Sequence, residues 1–334
     1  MKLIIPFCIV ITMTGCKSKV VETSPDTVQP TEKATMSTPS TLNGLSFVTS
    51  SELKETVSYL ASDELEGRDT GSKGIEKAAV YLENKFKSYG VKPYFETYRD
   101  AFKAKDRDAF NIIGVIEGTD PVLKNEYILL GAHYDHIGFG KKVGNDSIAN
   151  GANDDASGTS AVLAMSRYFA EKKTNKRSII FALFSAEEMG LIGSKKLAEH
   201  LKTKNFNLYT MLEIEMIGVP MVDKDYVAYI TGFELSNMGQ KINEYSNETL
   251  VGLLPKAKEF QLFYRSDNYS FFKVFNEPSQ TISTFDFTNF DYYHEVGDEA
   301  DKMDYDFMAR LVNKVIPAVE KMSTTPTREI SMNE

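Results

Sequence analysis

The sequence predicts an α/β protein in which a largely parallel or mixed sheet is covered by helices on both faces. Two observations support this fold class: short apolar strands alternate with amphipathic helices, and several of those strands are apolar throughout. The composition agrees, because 42% hydrophobic and 25% charged residues are typical of an ordinary globular protein. A chain of 334 residues is also long enough to bury a sizeable core.

The individual elements follow from the spacing of apolar residues. Apolar positions three and four apart predict helices over 51–60, 74–89, 157–171, 193–201 and 304–322. Short apolar runs predict strands over 127–131, 178–184, 211–217, 226–230 and 280–285. A turn-rich segment over 66–72 separates the first two helices. In sheets of this kind, ligands bind beyond the carboxyl ends of the strands.

The N-terminus is predicted to be a targeting segment. Lys2 precedes an apolar run over 3–14 that is too short to span a bilayer as a helix. The run ends at Met13-Thr14-Gly15-Cys16, which resembles the lipobox of bacterial lipoproteins, where the cysteine is lipidated and becomes the mature N-terminus. We therefore expect a signal peptide over 1–15, a lipid anchor at Cys16 and a location in the bacterial cell envelope, facing the periplasm or the exterior. A plain secretory signal with an incidental cysteine is the alternative.

A flexible tether is predicted over 16–44, followed by a globular domain over 45–334. The tether is rich in Ser, Thr, Pro, Lys and Glu, and it has too little apolar surface to offset the entropy of ordering. The net charge of −9 argues against a nucleic-acid partner, because binding to phosphates needs clustered Lys and Arg. With four histidines in the whole chain, any metal site must depend on carboxylates.

Polar side chains follow two of the predicted strands. His133 and Asp135 lie two apart and would share a face of an extended segment, although a solvated loop histidine is the simpler interpretation of this pair alone. Glu187 and Glu188 directly follow an apolar strand, where two carboxylates are costly unless a cation binds them. A solvated acidic turn is the alternative there. Neighbouring carboxylates can also divide their roles, one binding a metal and the other moving protons.

Three further segments supply carboxylates or a histidine. Asp154 lies in Asn150-Gly151-Ala152-Asn153-Asp154-Asp155-Ala156-Ser157-Gly158, which by itself fits a helix cap better than a metal site. Glu213 and Glu215 alternate with apolar residues and would lie on one face of a strand. His294 lies in a polar stretch before the last helix.

Together these segments resemble the di-zinc aminopeptidases of metallopeptidase family twenty-eight. The resemblance covers about 51–322 and rests on five ordered motifs: HxD at 133–135, DDASG at 154–158, AEEMGLIGS at 186–194, EMIG at 215–218 and YHxxxD at 293–298. It implies a single three-layer domain with a central mixed, mostly parallel sheet, as in the zinc-peptidase and phosphorylase/hydrolase-like folds. It also implies two zinc ions per chain, peptide substrates, and hydrolysis of the N-terminal peptide bond by metal-activated water.

The resemblance also implies a role for individual residues. Five side chains would bind the zinc ions: His133 and Glu215 one ion, Glu188 and His294 the other, and Asp154 both. Glu187 would be the general base, and Asp135 would orient His133. Tyr293 would stabilise the tetrahedral intermediate, and Arg265 would lie near the substrate.

Some positions depart from the family pattern or remain outside it. Glu215 stands where the family usually has Asp, so we expect metal binding with shifted geometry or a preference for another divalent metal. Asn268 stands where many relatives have His, which should change only the detail of the pocket. His136 adjoins the site but matches no family position, and contact with substrate stays open for it as an alternative. His200 is predicted to be a solvated surface residue.

Two other functions stay open at this point. A same-fold enzyme could catalyse a different reaction, as a carboxypeptidase or a single-zinc glutaminyl cyclase. Retention of His133, Asp154 and His294 favours two metals and hydrolysis over that alternative. A non-catalytic lipoprotein binding module is the second alternative, but such degenerate relatives typically lose ligands or the base. A monomer is the expected oligomeric state.

Overall fold

The computed structural model describes residues 46–334. The predicted signal peptide over 1–15, the anchor at Cys16 and the tether up to residue 44 lie outside the described residues. The described chain forms a nine-stranded mixed sheet and a separate two-stranded sheet. Within 46–334, the helices are all too short or too polar to cross a membrane.

Helices and strands alternate along most of the described chain. The helices are α1 Ser50–Leu60, α2 Lys73–Tyr89, α3 Gly158–Lys172, α4 Ile192–Thr203, α5 Met238–Ser246, α6 Pro255–Glu259, α7 Asn268–Phe275 and α8 Tyr305–Thr324. The strands of the main sheet are β1 Lys92–Pro93, β2 Arg99–Ala104, β3 Arg107–Ile116, β4 Tyr127–His133, β7 Ser178–Phe184, β8 Leu208–Ile214, β9 Ala228–Ile230, β10 Val251–Gly252 and β11 Ser279–Ser283. The small hairpin consists of β5 Phe139–Val143 and β6 Asp146–Ile148.

The main sheet is parallel at its centre and antiparallel at its flanks. Its strand order is β1-β3-β7-β4-β8-β11-β9-β10, with β2 paired to β3. The neighbours β7, β4, β8 and β11 run parallel, whereas β3 pairs with β7 and β9 pairs with β11 in antiparallel fashion. The predicted mixed α/β sheet is confirmed, and the carboxyl ends of the four central strands meet at one edge.

Strand β7 shows why the central strands are apolar throughout. Ile179, Phe181 and Leu183 pack into the cluster formed with α1, α2, α3, α5 and α8. The alternate residues of the strand, among them Ile180 and Phe184, pack into a second cluster with α4 and α7. Because side chains alternate between the two faces of a strand, helices on both faces require apolar residues at every position.

The five predicted helices are correct to within two residues at each end. The strand predicted over 178–184 is correct, whereas the strand predicted over 211–217 begins and ends three residues earlier, at Leu208–Ile214. The chain leaves the sheet there because Met216 adopts a left-handed φ of 49°, which no strand can accommodate. This early ending brings Glu215 out at the carboxyl edge of the sheet.

Candidate active site

Adjacent strands deliver most of the predicted site residues to one edge of the sheet. Strand β4 ends at His133. Its neighbour β7 is followed within four residues by Glu187 and Glu188, and its other neighbour, β8, is followed directly by Glu215. Asp154 arrives from the segment that precedes α3, and His294 arrives from a turn before α8. Parallel strands point their carboxyl ends the same way, so residues far apart in sequence meet here.

One cluster of possible metal ligands consists of His133, Asp154 and Glu215. Nε2 of His133 lies 3.2 Å from Oδ1 of Asp154. One ligand atom from each of the three residues lies within 4.8 Å of the others. Two ligands bound tetrahedrally to zinc at about 2.0 Å would lie roughly 3.3 Å apart, so these separations suit a shared cation.

The second cluster surrounds the other oxygen of Asp154. Nε2 of His294 lies 3.2 Å from Oδ2 of Asp154 and 3.1 Å from Oε2 of Glu188. His136 also belongs to this group, because its Nδ1 lies 3.0 Å from Oε1 of Glu188 and 3.8 Å from Oδ2 of Asp154. Asp154 therefore presents one oxygen to each cluster, which is the arrangement a bridging ligand needs.

Unpartnered polar atoms test whether these residues suit a metal. Nε2 of His133, both ring nitrogens of His136 and Oε1 of Glu188 are buried and form no hydrogen bond within the described residues. Leaving such a group unsatisfied costs about 1–3 kcal/mol each, so unpartnered atoms are rare in folded proteins. Imidazole nitrogens and carboxylate oxygens are the ligands that zinc accepts in proteins, and the donor set fits that ion.

Burial and neighbouring charges shift the pKa values of several side chains in the site. Burial opposes ionisation of Asp154, but the nearby imidazoles of His133 and His294 outweigh it and hold the Asp154 pKa well below its usual range. Burial, reinforced by the charge of Glu213, raises the pKa of Glu215 to about 8. Burial also raises the pKa of Glu187 well above its usual range. Burial opposes the charged form of His294, but contacts with Asp154 and Glu188 outweigh it and raise the pKa of His294 to about 10.

These shifts predict how chelator-treated protein responds to pH. Glu215 keeps its proton in the folded state up to about pH 8, whereas the unfolded chain releases it near pH 4.5, so stability falls as pH rises between those values. His294 acts in the same direction, because the stability gained from its raised pKa is lost as pH rises towards 10.

We therefore expect the melting temperature in excess chelator to be several degrees lower at about pH 8 than at about pH 5.5. Zinc-loaded protein should show the opposite trend, because bound metal requires deprotonated ligands. Calorimetry in chelator and in excess zinc measures both trends. A melting temperature in chelator that rises over this interval would contradict the assignment of these buried acids.

Several polar contacts fix the orientation of the ligands. The carboxylate of Asp298 accepts the backbone N–H groups of Asn153 at 2.8 Å and of Asp154 at 3.0 Å. Nδ1 of His133 lies 3.2 Å from the backbone carbonyl of Asp135 and 3.7 Å from its carboxylate. That carboxylate accepts the backbone N–H of Glu187 at 3.2 Å, so Asp135 ties the end of β4 to the segment after β7.

Arg68 is a site-building residue that the sequence did not reveal. Its side chain is fully buried and donates to four carbonyl oxygens at 2.5–2.8 Å. Those carbonyls belong to Leu60, Tyr134, Asn150 and Gly151, so one guanidinium joins α1 to the two segments that carry the histidines and Asp154. The only sequence signal was the turn-rich segment over 66–72 that contains it.

Replacing Arg68 by Met should lower the free energy of unfolding by at least about 3 kcal/mol, because four buried carbonyls lose a charged donor. Urea unfolding of the two proteins measures the difference. Arg310, which is exposed on α8, provides the matched control, and Arg310→Met should change stability by less than about 0.5 kcal/mol. Equal effects of the two substitutions would contradict the role of Arg68.

Comparison with known proteins identifies the family. Residues 111–319 match the model of Peptidase family M28. The chain belongs to this family. The matched range contains all five predicted ligand positions, and it confirms the family predicted from the motifs.

Relatives of the M28 chain include named peptidases. A probable zinc metalloprotease of Pyrenophora tritici-repentis is 37% identical over 108 residues, which is 32% of this chain and 24% of that protein. Aminopeptidase YwaD of Bacillus subtilis is 36% identical over 105 residues, 29% of this chain and 21% of that protein. The matches thus span about a quarter of the length of these curated relatives.

Solved structures show the same fold. An aminopeptidase from Aneurinibacillus sp. strain AM-1 superposes with a TM-score of 0.63 at 18% identity, covering 84% of this chain and 95% of that one. A glutaminyl cyclase of Porphyromonas gingivalis superposes with a TM-score of 0.64 at 16% identity, covering 83% and 99%. The predicted fold class is confirmed by these likenesses.

A cavity of about 70 Å³ adjoins the first ligand cluster of the M28 site. Glu215, Arg265 and Tyr293 line it together with apolar side chains such as Leu262 and Phe285. The ring of Tyr293 stacks on His294 at 4.0 Å, and the residue is 42% exposed. Both residues predicted to contact substrate therefore lie at the same opening.

Two positions singled out in the sequence lie away from the ligands. Asn268 is buried at the start of α7, where its amide donates to the Ser279 carbonyl at 3.0 Å and accepts from Thr281 at 2.9 Å. His200 is 40% exposed, but it contacts Asp100 at 2.8 Å and stacks on Phe95 at 4.7 Å. His200 is therefore anchored to the surface of the domain.

Proposed function

We propose that this M28 chain is a zinc-dependent aminopeptidase that removes the N-terminal residue of peptides using two zinc ions. The observation that best supports it is the pair of ligand clusters that share Asp154 beside an open cavity. His133 and Glu215 would hold one ion, and Glu188 and His294 would hold the other. Bound zinc supplies a Lewis acid for the scissile carbonyl and lowers the pKa of attacking water.

The chain itself supplies proton transfer and orientation. Glu187 accepts a proton from the attacking water and delivers it to the leaving amine. Burial raises the pKa of this carboxyl, which makes its carboxylate a stronger base. Tyr293 donates a hydrogen bond to the carbonyl oxygen as negative charge develops on it. Asp135 holds His133 and Glu187 in position, through its backbone carbonyl and its carboxylate respectively.

Selection of a free N-terminus follows from the charge of the site. Glu215 lines the cavity, and together with the carboxylates of Glu187 and Glu188 in the adjoining site it would attract an α-ammonium group. The apolar walls of the cavity, including Phe285, would receive the side chain of the first residue. Arg265, exposed at the rim, would interact with the backbone of the bound peptide.

A peptide assay tests this function directly. Zinc-loaded protein should shorten a peptide from its amino end, one residue at a time by mass spectrometry, and should leave the N-acetylated peptide intact. Chelation should abolish the activity and added zinc should restore it. Loss of carboxyl-terminal residues, or equal cleavage of the acetylated peptide, would contradict aminopeptidase activity; binding without turnover would support a binding module instead.

A glutaminyl cyclase is the second candidate, because the fold superposes on such an enzyme over 99% of its length. Incubation with a peptide that begins with Gln separates the two candidates. An aminopeptidase releases free Gln, whereas a cyclase releases ammonia and leaves the chain length unchanged.

The cellular location of the protein is also a proposal. We infer that Cys16 attaches the protein to the bacterial envelope, on the strength of the lipobox-like sequence before it. Fatty-acid labelling of cells should mark the wild-type protein and should fail to mark Cys16→Ser. Equal labelling of both would contradict the anchor.

A further inference from the structure

His136 is a buried histidine without a hydrogen-bond partner. Its side chain is 1% exposed, and neither ring nitrogen forms a hydrogen bond within the described residues. A neutral imidazole carries one donor and one acceptor, and burying both unsatisfied is costly. The position therefore points to a partner of another kind.

The nearest polar atoms show what that partner is. Nδ1 of His136 lies 3.0 Å from Oε1 of Glu188, and that oxygen is itself buried without a hydrogen bond. Oδ2 of Asp154 lies 3.8 Å from the same nitrogen. One ligand atom each from His136, Asp154 and Glu188 lies within 4.8 Å of the others, a spacing that suits ligands of one cation.

The surrounding backbone fixes the imidazole in this place. Gly151 adopts a left-handed φ of 60°, and a Cβ on it would lie 2.6 Å from the His136 ring, so only glycine permits the ring to pack there. The backbone N–H of His136 donates to the Arg68 carbonyl at 3.3 Å, and Arg68 donates to the Gly151 carbonyl at 2.8 Å. The buried arginine thus anchors both the histidine and the glycine beneath it.

We propose that His136 is a metal ligand of the second site, so that this site has four protein ligands: His136, Asp154, Glu188 and His294. The first site keeps three, His133, Asp154 and Glu215. Four-coordinate closed zinc sites are typically structural, whereas a site with three protein ligands leaves a position for water or substrate. The ion of the second site is therefore the more tightly held, and the first site is where the substrate carbonyl binds. This inference rests on the proposed two-metal function.

The test measures metal binding rather than peptide cleavage. Chelator-stripped wild type and His136→Phe are titrated with Zn²⁺ against a competing chelator, and separately with Co²⁺ while the visible spectrum is recorded. The variant should bind one of its two ions at least about tenfold more weakly, and the Co²⁺ band of that ion should change in position or intensity. His200→Phe, a surface histidine outside the site, should match wild type in both titrations.

The outcomes separate this inference from the proposed function. Two ions bound by His136→Phe with wild-type affinity and an unchanged Co²⁺ spectrum would overturn the assignment of His136. Failure of wild type to bind any ion would overturn the proposed function itself. Zinc-edge X-ray absorption of the wild-type protein needs no variant: three imidazoles shared between two zinc ions support the inference, and two imidazoles contradict it.

Discussion

Replacing Asp154 by Asn should abolish the binding of two metal ions per chain. Each carboxylate oxygen of Asp154 faces one cluster, with His133 at 3.2 Å on one side and His294 at 3.2 Å on the other. An amide presents an NH₂ group to one of the clusters, and a donor cannot bind a cation. We expect affinity for at least one ion to fall more than about 100-fold, since even residues outside the first ligand layer affect affinity 10–100-fold. Elemental analysis of desalted protein measures the loss.

The backbone contacts of Asp154 do not depend on its carboxylate. Asp298 binds the amides of Asn153 and Asp154 and not the side chain, so the local fold should persist in Asp154→Asn. Asp106→Asn, in the exposed turn between β2 and β3, is the matched control and should retain full metal content. Two ions retained by Asp154→Asn would show that Asp154 bridges nothing.

Replacing Glu187 by Gln should remove catalysis and leave metal binding intact. Glu187 is a member of neither ligand cluster, and its backbone N–H is held by Asp135 in both the wild type and the variant. Loss of a general base typically costs about 10²- to 10⁴-fold in turnover, so we expect kcat to fall by that factor with KM nearly unchanged. Steady-state kinetics on a chromogenic aminoacyl amide, together with the metal content, measures both quantities.

The matched control for this substitution is Glu199→Gln, an exposed glutamate on α4. It should retain wild-type kcat and metal content. If Glu187→Gln kept more than about a tenth of wild-type turnover, another group would have to move the proton. A large loss of metal in Glu187→Gln would instead make Glu187 a ligand.

The sequence predicted those features whose cause is local. Five of the eight α-helices in residues 46–334 were predicted to within two residues, because apolar spacing determines which face of a helix is buried, whereas α5, α6 and α7 were missed. The residues after β4, β7 and β8 could be predicted as neighbours because strand ends collect at one edge of a parallel sheet. The five predicted ligand side chains do lie together in the two clusters.

Features that depend on contacts between distant segments were not predicted. The antiparallel hairpin of β2 and β3, whose strands adjoin in sequence, was missed for a different reason: edge strands such as Arg99–Ala104 mix charged and apolar residues. Arg68 was not predicted because its partners are backbone carbonyls up to 83 residues away. The pattern of side chains in a sequence does not indicate such contacts. His136 follows His133 by three residues, but its ring packs on Gly151 and lies beside Glu188, two contacts that sequence spacing does not show.

Anomalous diffraction at the zinc edge from crystals of the zinc-loaded protein tests the central claim most directly. We expect two peaks, one among His133, Asp154 and Glu215, and one among the residues of the second site defined above. Both peaks should contact Asp154. A single peak, or two peaks of which one avoids Asp154, would contradict a two-zinc site bridged by that residue.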